Sequence, residues 1–126
     1  MYLFSSGLGK HQVTAKVHVL DSGINITLYG GDKTHVGSVV VAIPRPSLQD
    51  QSVTSVTSSV INLVGHKDED VARPLAEKLA RTFGQVTVVT AGIHVEKATS
   101  EDITVIVQNV DEVMDAMILK LETVLR

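Results

Sequence analysis

The sequence predicts an α+β fold, a two-layer sandwich in which a mostly antiparallel sheet carries two helical segments on one face. Three observations predict it. In the first half, stretches that alternate apolar and polar residues follow one another with turn chemistry between them, as hairpins do. Residues 36–43 are apolar at almost every position, which suits a central strand buried on both sides and covered by helix on at least one. Two later stretches repeat apolar residues every three to four positions, the period of a helix packed on a sheet. With 126 residues, 44% of them hydrophobic, the chain reads as a single domain, 1–126. A chain of that length buries roughly two-thirds of its unfolded surface.

The elements are expected in this order. Residues 1–10 form a short lead in which Gly7 and Gly9 spoil any regular element. Val13, Ala15, Val17 and Val19 then alternate with Thr14, Lys16 and His18, a half-buried strand that leaves His18 on the wet face. Asp21-Ser22-Gly23 turns the chain, and Ile24, Ile26 and Leu28 resume the alternation as the second arm of a hairpin. Gly30 to Asp32 turns it again into the apolar run, which Pro44-Arg45-Pro46 should end, since neither proline donates to a ladder. Residues 53–64 mix valines with threonines and serines. They read either as an edge strand with cross-strand hydroxyl bonds or as a hydrogen-bonding wall of a polar pocket.

Asp68, Glu69 and Asp70 open the first helix, with Asp68 or Asp70 as its cap, and Val71, Leu75, Leu79 and Phe83 form its stripe. Pro74 predicts an irregular first turn or a late start, and Gly84 a stop. Residues 86–89 are a further buried strand. Thr99-x-x-Asp102 is a capping box, from which Ile103, Ile106, Val110, Val113, Met117, Leu121 and Val124 mark a long helix. The opening Ile-Thr-Val-Ile-Val is β-branched, but the cap and the unbroken period decide for helix.

Charge and composition exclude several functions. A net charge of −3 offers no basic field for nucleic acid or an anionic membrane. No apolar run is long enough to span a bilayer, residues 1–7 lack the charged start of a secretory leader, and there is no cysteine. A cytoplasmic protein is expected. With aromatics at 3%, a planar ligand must be held by aliphatic walls and backbone.

Chemistry-bearing residues gather at element ends: Asp32, Lys33 and His35; Arg45; His66 and Lys67; His94. Gly30-Gly31 could present successive N–H groups as an anion nest. His66 and Lys67 precede a helix N-terminus, where phosphate binds readily. Imidazole with carboxylate also suits a divalent metal, although no metal-binding motif is present. No serine sits in a nucleophile elbow.

Taken as a set, Gly30-Gly31-Asp32-x-x-His35-x-Gly37, Pro44-Arg45-Pro46-Ser47, Thr57-Ser58, Gly65-His66-Lys67-Asp68, Ala72-Arg73-Pro74-Leu75-Ala76 and Thr90-Ala91-Gly92-Ile93-His94 resemble one family. It is that of the small D-type accessory protein of gallate decarboxylase, a chaperone for reduced prenylated FMN. The resemblance covers residues 11–125. The family commonly has Pro before the histidine and Ile after it; Thr34 and Val36 stand here, which makes the loop less rigid.

The resemblance implies a protein that is not itself an enzyme. It would bind reduced prenylated FMN as cargo and load it into a prenylated-flavin-dependent decarboxylase. It also implies a homodimer, with a fold similar to the proteasome assembly chaperones of the third and fourth type. It carries no residue-level site. The candidate cofactor-binding residues inferred from the matching motifs are Gly30, Gly31, Asp32, His35, Arg45, His66, Lys67 and His94. Arg45 and Lys67 would pair with the ribityl phosphate. Gly30 and Gly31 would permit close backbone approach, and Asp32, His35, His66 and His94 would bond the flavin's polar edge or a bound ion. Two other readings remain open at this point: a protein-interaction module without flavin, and a small metal-dependent enzyme using His35, His66 and His94.

Overall fold

A computed structural model describes residues 1–63 and 68–125. In chain order they form β1 (Tyr2–Ser6), a short 3₁₀ turn (Gly9–His11), β2 (Val13–Leu20), β3 (Gly23–Gly31), β4 (Lys33–Pro46), β5 (Thr54–Asn62), α1 (Glu69–Phe83), β6 (Thr87–His94) and α2 (Ser100–Val124). Among the described residues six strands make one sheet in the order β1-β2-β3-β6-β4-β5. All neighbouring pairs are antiparallel except β3 with β6. The α+β two-layer architecture stands, with both helices on one face.

Alternation explains the layering. Val13, Ala15 and Val17 of β2, Ile26 and Leu28 of β3, Val40 and Ala42 of β4, and Val89 and Ala91 of β6 are buried toward the helices. They meet Ala72, Leu75, Ala76 and Leu79 of α1, and Val110, Val113, Met117 and Leu121 of α2. The small alanines of α1 let that helix lie close over β4 and β6. On α2, Thr99 accepts from the Asp102 N–H and the Asp102 carboxylate accepts from the Thr99 N–H, which is the predicted capping box. Gly84 closes α1 in the left-handed conformation at φ 62°.

Several expectations are corrected. Tyr2–Ser6, read as an unstructured lead, pair with Val13–Val17 and extend the sheet. Short length and the following glycines hid a strand whose existence depends on its tertiary partner. β4 runs through Pro44 and Pro46, because beyond Ala42 it has a neighbour on the β5 side alone, where missing donors are tolerated. α1 starts at Glu69 and passes straight through Pro74, whose missing N–H falls opposite the carbonyl of exposed Asp70, within reach of water. The apolar run of β4 buries one face; Val39 and Val41, on the other, stay half-exposed. The serine- and threonine-rich stretch is the edge strand β5. Its Ser58 bonds Glu77 of α1, and its Asn62 donates to Glu69 at 2.7 Å.

The largest difference is topological. Turn chemistry at Gly30–Asp32 implied that the strands on either side pair. Instead β6 enters between β3 and β4, so three strand ends terminate together: Gly31 lies opposite His94, and His94 opposite Lys33.

Candidate functional site

The site grows out of this shared end. The β4–β6 register slips between Thr34 and Ser38, so His35, Val36 and Gly37 leave the ladder as a bulge. Two glycines make room for it. A Cβ on Gly92 would run into the His35 backbone carbonyl, and one on Gly37 into the Asp68 carboxylate. The bulge swings His35 toward the start of α1, where its Nε2 lies 3.1 Å from Asp68 Oδ2. His94 stands edge-on to the same imidazole, with ring centroids 6.1 Å apart and planes at 85°.

Asp68 ties the elements together. It holds the N-cap position of α1, yet its side chain does not cap the helix. Its Oδ1 accepts from the Ile93 N–H at 2.8 Å while Oδ2 meets His35, and the carboxylate is almost wholly buried. Around it, Asp32 Oδ2 accepts from the Glu96 N–H at 3.0 Å, and His94 Nε2 lies 3.2 Å from Glu96 Oε1. Asp32 therefore pins the β6–α2 connection.

The backbone of Gly30–Gly31 does not form an anion nest. Gly31 N–H donates to the Gln12 carbonyl at 3.4 Å and Asp32 N–H to the His94 carbonyl at 2.7 Å. A Cβ on Gly30 would strike the Gln12 carbonyl, and Gly31, at φ 80°, would strike that of His94. Glycine is required here for close strand packing.

Beside this cluster a cavity of about 300 Å³ opens between the N-terminal ends of α1 and α2 and the end of β6. Val71, Ile93, Val95, Ile103, Ile106 and Val107 give it aliphatic walls. Asp68, Asp70 and His94 are the ionisable groups among its described lining. Among its described lining residues the imidazole of His94 is the one aromatic ring.

Of the sequence-predicted residues, the fold brings together Gly30, Gly31, Asp32, His35 and His94. His66 and Lys67 lie outside the described residues. Arg45 is not gathered: ten residues along β4 from His35, it sits roughly 30 Å away. There its Nε donates to Thr57 Oγ1 at 2.7 Å and its guanidinium to the Pro46 carbonyl at 3.1 Å. Asp68 and Glu96 were missed. Position in the sequence marks Asp68 as a helix cap, and Glu96 lies in no motif. Among the described residues no cluster of three or more His, Asp or Glu could hold a metal ion. No helix among them is long and apolar enough to cross a membrane.

A second carboxylate centre lies at the other helix start. Asp102 Oδ1 meets His11 Nε2 at 2.8 Å and Lys10 Nζ at 3.3 Å, and Asn109 Nδ2 donates to the His11 carbonyl at 2.7 Å. The Thr99 backbone N–H first, and then His11, hold the Asp102 carboxyl well below the usual carboxylate range. These contacts lock α2, and with it one wall of the cavity, to the segment before β2.

The architecture recurs in a solved chain described as "a Novel Chaperone Complex for Yeast 20S Proteasome Assembly". The two superpose with a TM-score of 0.54 at 20% identity, over 99% of this chain and 98% of that one. At that identity the likeness shows the fold alone. No protein of curated function matches the chain. The sequence model of the prenylated flavin chaperone LpdD-like domain matches residues 7–122, nearly the whole length. The motifs that meet at the shared strand end and the extent of that match lead to one conclusion: the chain belongs to the prenylated flavin chaperone LpdD-like family.

Proposed function

We propose that this chain is a non-catalytic, cytoplasmic carrier of reduced prenylated FMN, loading it as a homodimer into a prenylated-flavin-dependent decarboxylase. The single observation that carries this reading is the aliphatic cavity of about 300 Å³ beside the His35–Asp68–His94 cluster. Its size is within the range of small-molecule sites. A tricyclic ring with a prenyl-derived addition suits walls of Val71, Ile103 and Ile106, and His94 at the rim can bond a polar ring edge. The phosphate does not suit the interior, because Asp68 and Asp70 face it. We therefore assign the ring to the cavity and the phosphate to its mouth, on the side where His94, a lining residue, pairs with Lys33 in the β4–β6 ladder.

Gly30, Gly31 and Asp32 then act at one remove, by holding β3 and the β6–α2 connection in place. Arg45 reaches the cargo only from a second copy. Homodimerisation is supported by the sheet face opposite the helices, where Ile43 and Ile61 are 47% and 66% exposed beside Val39, Val41 and Val88.

Anaerobic titration with the reduced cofactor, followed by absorbance and calorimetry, tests the reading. Saturable binding that Ile103→Trp abolishes by filling the cavity is the expected result. Absence of binding at near-millimolar protein overturns it.

A further inference from the structure

We infer that the cleft between α1 and α2 is the docking site for a cationic, amphipathic segment of the partner enzyme. The inference rests on the reading above that the chain serves such an enzyme. The cleft continues the cargo cavity: a further cavity of about 140 Å³ shares Asp70, Val71 and Val107 with it. Pro74 and Leu75 of α1 and Val110 and Met114 of α2 line the extension. From Ile103 to Met114 the trench is roughly 17 Å long, about three turns of a docked helix. Ile103 and Val107, at 54% and 40% exposed, leave apolar edges along it. Met114 at its far end is an unbranched side chain that adapts to what it meets.

Charge identifies the occupant. The ionisable groups among the trench's described lining are Asp68, Asp70, Asp111 and one imidazole, His94, with no lysine or arginine. Of the α1 cations, Arg73 is engaged with Glu69 and Glu77 on the side facing β5, and Lys78 stands one turn beyond Pro74, past the end of the trench lining. Such a lining disfavours an acidic segment and a second copy of this acidic chain, and it attracts lysines or arginines flanking an apolar stripe. Because the trench and the cargo cavity share a wall, a segment seated in the trench touches the cargo's compartment, as direct hand-over requires.

The test is a titration of the isotope-labelled full chain with a 14-residue Lys/Leu amphipathic peptide, with a Glu/Leu peptide of the same apolar stripe as control. The Lys/Leu peptide is expected to shift amides in residues 70–75 and 103–114 and to leave those of Val39, Val41 and Val88 unmoved. Asp70→Asn with Asp111→Asn should weaken it about fivefold to tenfold, and added salt should do the same. Equal binding of the Glu/Leu peptide, shifts centred on the open sheet face, or unchanged affinity in the double variant overturns the inference. Cleft shifts on concentrating the chain alone also overturn it, by making a second copy the occupant. Asp111→Asn leaves flavin titration unchanged, because Asp111 lines only the extension. Failure of flavin binding with the peptide still mapping to the cleft removes the carrier reading and not the docking; the opposite pattern removes only the docking.

Discussion

Replacing Asp68 with alanine should cost this protein about 3 kcal/mol, and the geometry says why. The carboxylate is 5% exposed and spends one oxygen on the Ile93 N–H at 2.8 Å and the other on His35 at 3.1 Å. Truncation strands a donor at the end of β6, at about 1–3 kcal/mol, and removes a bond to a charged group worth about as much. The two losses share one site, so about 3 kcal/mol is a fairer figure than their sum. For a domain of this size that lowers Tm by about 10 °C. Asp68→Asn keeps an acceptor for Ile93 and offers an NH₂ to the imidazole, losing mainly the charge beside the α1 N-terminus, about 1 kcal/mol. Urea unfolding of the three proteins reads both values. If alanine and asparagine destabilise equally, or if alanine stays within about 0.5 kcal/mol of wild type, Asp68 does not hold the strand end and the account of the site fails.

Three further outcomes follow from the same geometry. Gly92→Ala drives a Cβ into the His35 backbone and should cost more than about 3 kcal/mol or prevent folding, whereas Gly9→Ala, in open space at φ 58°, should cost about 1 kcal/mol by thermal unfolding. Asp102 has a depressed carboxyl pKa, so its contribution is present above the unfolded value of about 3.9 and is lost as pH falls through the folded one. Acid titration should therefore show the stability gap between wild type and Asp102→Asn closing below about pH 4. Arg45→Ala should leave stability within about 0.5 kcal/mol and flavin titration of the monomer unchanged, and a weakened titration only in the dimer would mark Arg45 as a contact from the second copy.

How much of this was legible depended on sequence distance. The capping box Thr99–Asp102, the Gly84 stop and the alternation of β2 and β3 are local, and all three are present in the fold. The insertion of β6 between β3 and β4 is not local; strand order is set by which faces bury best once the chain has collapsed. The meaning of Gly30, Gly31 and Gly92 changed with it. Their glycine identity was visible, but the carbonyls they accommodate, those of Gln12, His94 and His35, belong to strands or a bulge that only the topology brings near. Asp68 misled for a related reason. Position alone marks a helix cap, while its partners lie 25 and 33 residues away. One signal was legible and not used: Gly37 interrupts the apolar run beside His35, which is where a bulge is expected.

The charge of the site bears on what a carrier must do. A reduced, phosphorylated flavin is an anion, and this chain is itself net negative, with Asp68 and Asp70 on the cavity wall. Such a site gains from apolar burial of the ring and loses from the field around the phosphate, so the two terms oppose each other. A binding enzyme that keeps its cofactor surrounds the phosphate with cations and helix N-termini. Here Glu69 and Asp70 occupy the first turn of α1, and Glu101 and Asp102 that of α2. Both helix dipoles are thus already compensated by the chain's own carboxylates before any ligand arrives. Under the proposed carrier role, the ring would be held and the phosphate left exposed for transfer. That asymmetry separates a protein built to pass its cargo on from one built to use it.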